Sequence, residues 1–363
     1  RALLPGIAEA ATTEDVDGAF PAGSVAALAG AGLLLAPLRQ ALGGHGWGIE
    51  ASGALPLATA LRLVGRASLP LGRLYEGHVN ALRLVQRHGT PAQARAAARD
   101  AAAGEFFGIW NTDAPGEPPL AIGADGALAG RKVLCSGAGF ITRALVTARP
   151  EGAPEAPPRI LLVPLGPGER ADLAGWTAQG MRASATGAVD FTGIPLAPGM
   201  ELGAPGDYLR QPDFSAGAWR FAAVQCGGLE AVLGALREHL RRTGRGGDPH
   251  QAARLGQAAL AAETARLWVE SAALRAEAAP AADDAATYAN LARTAVERAA
   301  LDSLELAQRS VGLAAFLRPN PLERICRDLA TYLRQPAPDR ALGVAAAEVL
   351  AAAAEPGDLW DAP

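Results

Sequence analysis

The pattern of residue types changes twice along the chain, and the order of the three resulting parts is the feature that most restricts its fold. In the first part, alanine- and leucine-rich stretches carry apolar residues at helical spacing. In the middle part, short β-type runs alternate with Gly, Pro and Asp turns, and long helical patterns then return. The sequence therefore predicts an α+β protein with helical, β and helical domains over residues 1–104, 105–205 and 206–363.

Turn residues set the expected bounds of individual elements. The predicted strands of the middle part cover residues 106–110, 132–135, 144–147, 159–163 and 188–191. Breaks between the predicted helices fall at Pro21, at residues 43–48, 89–91 and 244–249, and near Pro280. The apolar run from Ala26 to Leu38 is too short to span a bilayer, and we expect it to form a buried helix.

Composition argues against several classes of protein. The formal net charge is -4 and the charges are interspersed, so neither a nucleic acid partner nor a membrane anchor is predicted. The three cysteines, Cys135, Cys226 and Cys326, are widely separated and predict neither a disulfide framework nor a metal site. This cysteine usage fits a reducing cytoplasm, and a chain of this length can bury a sizeable core.

The C-terminal third carries the most specific motif. Residues 308–312 read Gln-Arg-Ser-Val-Gly, and residues 321–328 read Pro-Leu-Glu-Arg-Ile-Cys-Arg-Asp. This pair resembles the C-terminal helical signature of the acyl-CoA dehydrogenase superfamily, and residues 180–187 resemble its Gly-x-Arg-x-Ser-x-Thr segment. The resemblance implies the acyl-CoA dehydrogenase fold, with an N-terminal helical domain, a middle β-barrel-like domain and a C-terminal four-helix bundle. It also implies FAD as the cofactor.

The resemblance places the flavin ring against two strands of the middle domain. Residues 106–113 are similar to the first flavin-facing strand of the family, which makes Trp110, Asn111 and Thr112 cofactor-binding candidates. A strand-end threonine presents a hydroxyl and a backbone N–H to the polar edge of a flavin, and aromatic residues cover the apolar rim. Ser136 falls at the threonine of the family's Trp-Ile-Thr-Asn strand, which implies a hydrogen bond near the flavin N5.

Four further cofactor candidates lie in the C-terminal helices. By resemblance they reach across a dimer to the FAD of a neighbouring subunit; they are Arg242, Gln251, Gln308 and Gly312. Arginine suits the diphosphate of FAD because its planar guanidinium binds oxyanions in a bidentate manner and stays charged. We therefore expect a homodimer or homotetramer, in which the long alanine-rich helices also cover their apolar faces.

The catalytic base of typical family members is missing from its usual place. Desaturation of an acyl thioester requires a carboxylate that removes the α-proton while the β-hydride passes to the flavin. The usual position is Pro336 and a known relocated position is Trp219, and neither residue accepts a proton. Asp339 is the nearest carboxylate and therefore the predicted base, and it is also a candidate N-cap for a last helix that begins near Arg340.

The resemblance predicts a flavin-dependent oxidoreductase that desaturates an acyl-CoA or another acyl thioester. Its electrons would pass to an acceptor such as an electron-transfer flavoprotein. Two alternatives stay open at this point. The segment around Gln335 is closer to the flavin monooxygenases of the superfamily, in which a separate reductase supplies reduced flavin and Gln335 would orient a substrate. The other alternative is a homologue that has lost catalysis and acts as a structural partner.

Overall fold

The N-terminal section is helical, as the sequence pattern predicts. A computed structural model describes residues 1–361 of the chain. In this section it has helices α1 (Leu4–Thr13), α2 (Ala22–Gly30), α3 (Ala54–Ala67), α4 (Leu69–His88) and α5 (Pro91–Ala102). A capping box begins α5: the Thr90 hydroxyl accepts from the Gln93 N–H, and the Gln93 side chain accepts from the Thr90 N–H. The breaks at Pro21 and at residues 43–48 and 89–91 are confirmed.

The prediction of one buried helix from Ala26 to Leu38 is wrong beyond Gly30. Helix α2 ends there in a Schellman motif, with Leu33 N bonded to Leu28 O at 3.0 Å and Gly32 N to Ala29 O at 2.9 Å. Gly32 has a φ of 74°, which glycine adopts without the steric cost that other residues have. Leu38 is still fully buried, so the apolar pattern indicated burial correctly but not helix.

The middle section is built from two sheets. Its strands are β1 (Phe107–Trp110), β2 (Ala121–Ile122), β3 (Leu128–Ala129), β4 (Arg131–Cys135), β5 (Arg143–Pro150), β6 (Arg159–Pro164), β7 (Ala171–Asp172), β8 (Gly187–Asp190) and β9 (Glu201–Leu202). One sheet has the order β3-β2-β5-β6-β9 with β1 parallel to β5, and the other has the order β4-β8-β7. The five predicted strands are confirmed. The two-residue strands were not predicted because they are too short to show alternation.

The C-terminal section is again helical. It contains α6 (Asp213–Ala216), α7 (Ala218–Arg242), α8 (Pro249–Glu277), α9 (Ala285–Val311), α10 (Pro321–Tyr332) and α11 (Pro338–Ala351). Helices α7, α8 and α9 pack on one another, and α3 of the N-terminal section packs closely on α7. Gly65 and Gly227 permit this approach, because an added Cβ would lie 2.3 Å from Val224 O and 2.0 Å from Arg62 O.

Several potential features are absent from the described residues. No helix in residues 1–361 combines the length and apolar character that crossing a bilayer requires. The same residues contain no group of three His, Cys, Asp or Glu side chains arranged to hold a metal ion.

An arginine and an aspartate on α10 join the three sections. Asp328 is buried, and its Oδ1 accepts the backbone N–H of Met181, in the middle section, at 2.6 Å. Arg327 donates to Gln179 O at 2.5 Å and to Asp15 Oδ2, near the N-terminus, at 2.6 Å. Burial raises the pKa of Asp328 to about 6, although the hydrogen bond from Met181 opposes this. The Arg-Asp end of the C-terminal signature is therefore a structural clasp, which we call the α10 clasp.

A buried histidine holds α4 against the first strand. His78 Nδ1 accepts the backbone N–H of Phe107 at 3.2 Å, so Nε2 carries the proton and donates to Leu34 O at 2.9 Å. The imidazole also stacks on Phe106, with ring centroids 5.0 Å apart. Burial lowers the pKa of His78 to about 4, despite the hydrogen bond to Leu34, which acts in the opposite direction.

A buried carboxylate joins α4, α7 and α8. Glu277 Oε1 accepts from Trp219 Nε1 at 3.2 Å and pairs with Arg220 Nη1 at 2.8 Å. Its Oε2 pairs with Arg83 Nη2 at 3.3 Å. Burial lowers the pKa of Arg220 to about 10, and the neighbouring Arg83 adds to this effect. The carboxylate of Glu277 therefore balances two arginines that have little access to water.

The His78 geometry predicts loss of stability in acid. The pKa of His78 lies below that of an unfolded histidine, so its contribution is complete above about pH 6.5 and is lost as the pH falls towards 4. The loss should be on the order of 3 kcal/mol. In His78→Gln this component should disappear, whereas the exposed His45→Gln should retain it. Urea unfolding at pH 7.5 and 4.5 measures both, and equal acid losses in all three proteins would refute the assignment.

The Glu277 geometry predicts a large cost for removing its charge. Glu277→Gln should destabilise the protein by about 3–5 kcal/mol, because the buried Arg220 loses the one carboxylate that it pairs with in residues 1–361 and the buried Arg83 keeps only Asp213. A matched control is Glu263→Gln on the same helix, where the carboxylate is 56% exposed and pairs with Arg266. That change should cost much less, because solvent screens this exposed ion pair. Denaturant unfolding compares them, and similar costs for the two variants would contradict this account.

Candidate functional site

A cavity of about 220 Å³ lies where α4 and the ends of α7 and α10 meet the first strands of the middle section. Its polar lining residues are Arg73, Glu76, Asn80, Asn111, Thr112 and Gln335. Its apolar and aromatic lining residues are Ile109, Trp110, Leu134, Tyr208, Phe221 and Tyr332. One wall is therefore a strand surface, and the opposite wall is a set of charged and hydroxyl-bearing side chains from helices.

The strand wall contains three of the predicted cofactor residues. Trp110, Asn111 and Thr112 follow one another at the end of β1, and all three line the cavity. Trp110 is fixed by a 2.9 Å hydrogen bond from its indole Nε1 to Ser136 O. The Asn111 side-chain oxygen accepts from the Thr147 hydroxyl. Ser136 is not among the lining residues. Its backbone oxygen contacts the N–H edge of the Trp110 indole through the hydrogen bond described above.

A bulge in β4 turns Leu134 towards the cavity. The pairing of β4 with β8 shifts register between Lys132 and Cys135, and Leu134 has a φ of 55°, which is unfavourable for a residue with a Cβ. Its side chain is 57% exposed although it is leucine. Lys132, just before the bulge, is buried and pairs with Asp113 at 2.5 Å. Leu134 thus places an apolar surface beside Trp110 and Thr112.

The helix wall is organised by a carboxylate whose two oxygens are both engaged. Glu76 Oε2 pairs with Arg73 Nη1 at 2.6 Å, and Glu76 Oε1 accepts from the Asn80 side-chain amide. Asn80 Oδ1 in turn accepts from Arg220 Nε, which connects the cavity to the buried carboxylate of Glu277. Within the described part of the chain, Glu76 is the only carboxylate that lines the cavity.

These helix-wall residues were not predicted, although the sequence contains a signal for them. Polar residues on α4 recur at alternating spacings of three and four, at Arg73, Glu76, Asn80, Arg83 and Arg87. Such spacing places them along one face of a helix. The other faces of α4 are largely buried and apolar. Polar side chains on a buried helix need hydrogen-bonding or charged partners, so this stripe indicates that such partners lie opposite it.

The end of α10 closes the cavity. Gln335 lines it, and its Nε2 donates to Tyr332 O at 2.8 Å. Its role in orienting a substrate remains a prediction. The Tyr332 hydroxyl is buried and has no hydrogen-bond partner within residues 1–361. Pro336, at the usual position of the base, presents its carbonyl oxygen to Arg293 Nη2 at 2.9 Å. Neither Pro336 nor the buried Trp219 offers a proton acceptor to the cavity.

Asp339 lies outside the lining of this cavity. It is exposed in the first turn of α11, which begins at Pro338 and has Ala337 as its N-cap residue. The prediction that Asp339 is the N-cap is wrong, because the left-handed conformation of Ala337, with a φ of 50°, starts the helix earlier than Arg340. The role of Asp339 as a base remains a prediction.

The other four predicted cofactor residues meet at the far end of the helical bundle. Arg242 ends α7 and Gln251 lies in the first turn of α8, while Gln308 and Gly312 lie at the end of α9. Gln251 Nε2 donates to Ser310 O at 3.5 Å, which joins the two helix ends. None of the four lines the cavity of this chain. Their contact with the cofactor of a second subunit remains a prediction.

Comparison with solved structures identifies proteins of the same architecture. KijD3, in complex with FMN and dTDP-3-amino-2,3,6-trideoxy-4-keto-3-methyl-D-glucose, is 26% identical with a TM-score of 0.80, covering 96% of this chain and 91% of its own. TdsC from Paenibacillus sp. A11-2, with FMN and indole, is 20% identical with a TM-score of 0.83, covering 96% and 95%. Butyryl-CoA dehydrogenase from Megasphaera elsdenii is 17% identical with a TM-score of 0.80, covering 96% and 94%.

Family models give the same assignment from the sequence. The acyl-CoA dehydrogenase N-terminal domain matches residues 4–105, and the acyl-CoA dehydrogenase C-terminal domain matches residues 207–333. Together the two models span more than half of the chain. A search of curated proteins finds no match. The predicted resemblance and fold are confirmed: this chain belongs to the acyl-CoA dehydrogenase superfamily.

Proposed function

We propose that the chain is the oxygenase component of a two-component flavin-dependent monooxygenase. The observation that carries this proposal is that no residue among those described, 1–361, brings a free carboxylate to the lining of the cavity. The usual base position is Pro336, the neighbouring polar group is the amide of Gln335, and the carboxylate of Glu76 is already bonded to Arg73 and Asn80. Desaturation requires a base at this place, whereas oxygen transfer requires a polar pocket that orients the substrate and excludes water.

The strand wall fits the isoalloxazine ring of a flavin. Trp110 and Leu134 offer apolar surface for the ring, and Asn111 and Thr112 offer hydrogen-bonding groups for its polar edge. The volume of about 220 Å³ is below the roughly 300–1,000 Å³ of typical ligand pockets, which fits a site that a second subunit completes. We propose FMN as the flavin, rather than the expected FAD, because the structures of KijD3 and TdsC contain FMN.

The residues of the chain would bind and orient the substrate. The Gln335 side chain uses its Nε2 to donate to Tyr332 O. This bond does not involve Oε1, which would accept a hydrogen bond from the substrate. Water would be excluded from the space between flavin and substrate by three aromatic side chains, those of Trp110, Phe221 and Tyr332.

In the proposed reaction, one oxygen atom of O₂ enters the substrate and the other leaves as water. Reduced flavin from a separate reductase supplies the two electrons.

The reaction can be tested with the purified protein and FMN. Reduced FMN, ¹⁸O₂ and a panel of small aromatic and amine probes that includes indole should give a product that carries one ¹⁸O atom, detected by mass spectrometry. Acyl-CoA added anaerobically to the FMN or FAD form should leave the flavin oxidised. Bleaching by acyl-CoA that is lost in Asp339→Asn would overturn the proposal in favour of desaturation. Failure to bind either flavin would favour a non-catalytic homologue.

We further propose a homodimer or homotetramer that covers an exposed leucine row on α8. Leu260, Leu267 and Leu274 recur every seven residues and are 69%, 54% and 50% exposed. A row of this kind leaves a continuous apolar stripe on a helix whose other side is already packed. A second copy of the chain would bury this stripe and bring the bundle end with Arg242 and Gln251 close to a neighbouring subunit.

Replacement of the central leucine should weaken the assembly. Leu267→Glu is expected to give a smaller particle in multi-angle light scattering at micromolar concentration, because it places a charge in a desolvated contact. Val16→Glu changes an equally exposed apolar residue near the N-terminus and should leave the particle mass unchanged. A monomeric wild-type protein, or an unchanged mass for Leu267→Glu, would contradict the assignment of this surface.

A further inference from the structure

We propose that the helix wall of the cavity recognises an anionic oxygen group, with Arg73 as the binding residue and Tyr332 as a second donor. The ligand class is a small organic acid or another molecule that carries an oxyanion. The identification of this ligand as the substrate rests on the proposed monooxygenase function. The recognition itself follows from the donors, charges and burial at this wall.

The guanidinium of Arg73 has N–H donors that are not used in its pairing with Glu76. Its Nη1 pairs with Glu76 Oε2 at 2.6 Å, and within residues 1–361 this is its only hydrogen-bonded partner. A guanidinium carries five N–H donors in a fixed fork, so those on Nε and Nη2 stay available. The Arg73 side chain is 24% exposed, whereas that of Glu76 is 4% exposed. The cation, rather than the carboxylate, is therefore the group that a ligand in the cavity can reach.

Tyr332 supplies an independent observation at the same wall. The residue is 5% exposed, it lines the cavity, and its hydroxyl has no partner among the described residues. Buried hydroxyl groups are normally hydrogen-bonded, and one without a partner on a residue that lines a cavity points to a ligand contact. Tyr208 also lines the cavity. Three residues with N–H or O–H donors, Arg73, Tyr208 and Tyr332, thus line the same cavity.

The charge row behind this wall has one positive charge in excess. It runs from the cavity into the helical bundle through four arginines and three carboxylates, in the order Arg73, Glu76, Arg220, Glu277, Arg83, Asp213 and Arg87. Asn80 bridges Glu76 and Arg220. The row begins and ends with arginine, and the far end, Arg87, is 41% exposed to solvent. An anion at Arg73 would balance the row at its cavity end, where the dielectric is lower.

Two sources could supply the oxyanion, namely the substrate and the phosphate of FMN. They are distinguished by comparing FMN with riboflavin, which lacks the phosphate. If Arg73 binds substrate, Arg73→Gln should weaken FMN and riboflavin equally or not at all. If Arg73→Gln weakens FMN but not riboflavin, the residue holds the cofactor phosphate and the inference is overturned.

The direct test uses benzoate and benzamide, which have nearly the same shape but differ in charge. Calorimetric titration of the FMN-loaded protein should show at least about tenfold tighter binding of benzoate than of benzamide, as expected for a hydrogen bond to a charged group. Arg73→Gln should weaken benzoate about 10- to 100-fold and leave benzamide unchanged. Tyr332→Phe should weaken benzoate by about tenfold. Arg66→Gln, at an exposed arginine on α3, is the matched control and should change neither affinity.

The outcomes separate this inference from the monooxygenase proposal. Because Arg73→Gln leaves Glu76 without its counter-charge, Arg73→Gln/Glu76→Gln provides a second variant with a neutral pair and should lose benzoate selectivity equally. Equal binding of benzoate and benzamide by FMN-loaded wild type would overturn the inference while leaving the flavin function intact. Selective benzoate binding by a protein that takes up no flavin would support anion recognition and remove the monooxygenase proposal.

Discussion

The hydrogen bond from Met181 N–H to Asp328 Oδ1 is the contact on which the geometry of the cavity depends. Asp328 is buried on α10, and this bond ties the helix to the middle section over a distance of 2.6 Å. Tyr332 follows four residues later and therefore lies one turn from Asp328 on the same face of α10, and Gln335 lies three residues beyond the end of this helix. The α10 clasp thus fixes the depth at which both side chains reach the cavity. Arg327 and Asp328 therefore influence the cavity by positioning α10, and they do not line it.

The cavity also shows why family membership alone does not determine the reaction. The fold supplies a strand wall with Trp110 and Thr112, which we propose as the surface that binds the flavin ring. The chemistry depends on the helix wall, where this chain has Arg73, Glu76 and Gln335 and no free carboxylate. A buried wall whose carboxylate is already bonded to Arg73 and Asn80 favours binding and orientation of a polar ligand over removal of a proton from carbon.

Local features of the fold could be predicted from the sequence, because they depend on neighbours in the chain. The five longer strands and the helix breaks belong to this class. The pairings that build the helix wall could not be predicted, since Arg220 reaches Asn80 across 140 positions and Arg83 reaches Glu277 across 194. The end of α2 and the start of α11 were misjudged, because each depends on a left-handed residue, Gly32 or Ala337.

Hydrogen exchange with and without FMN tests the central claim, that the cavity between the strand wall and the helix wall is the flavin site. We expect FMN to slow exchange of backbone amides in residues 107–112 and 131–136 and at the end of α10, and to leave the solvent-facing turns of α11 unchanged. Protection confined to the bundle end around Arg242 and Gln251, or the absence of any FMN-dependent protection, would contradict the account.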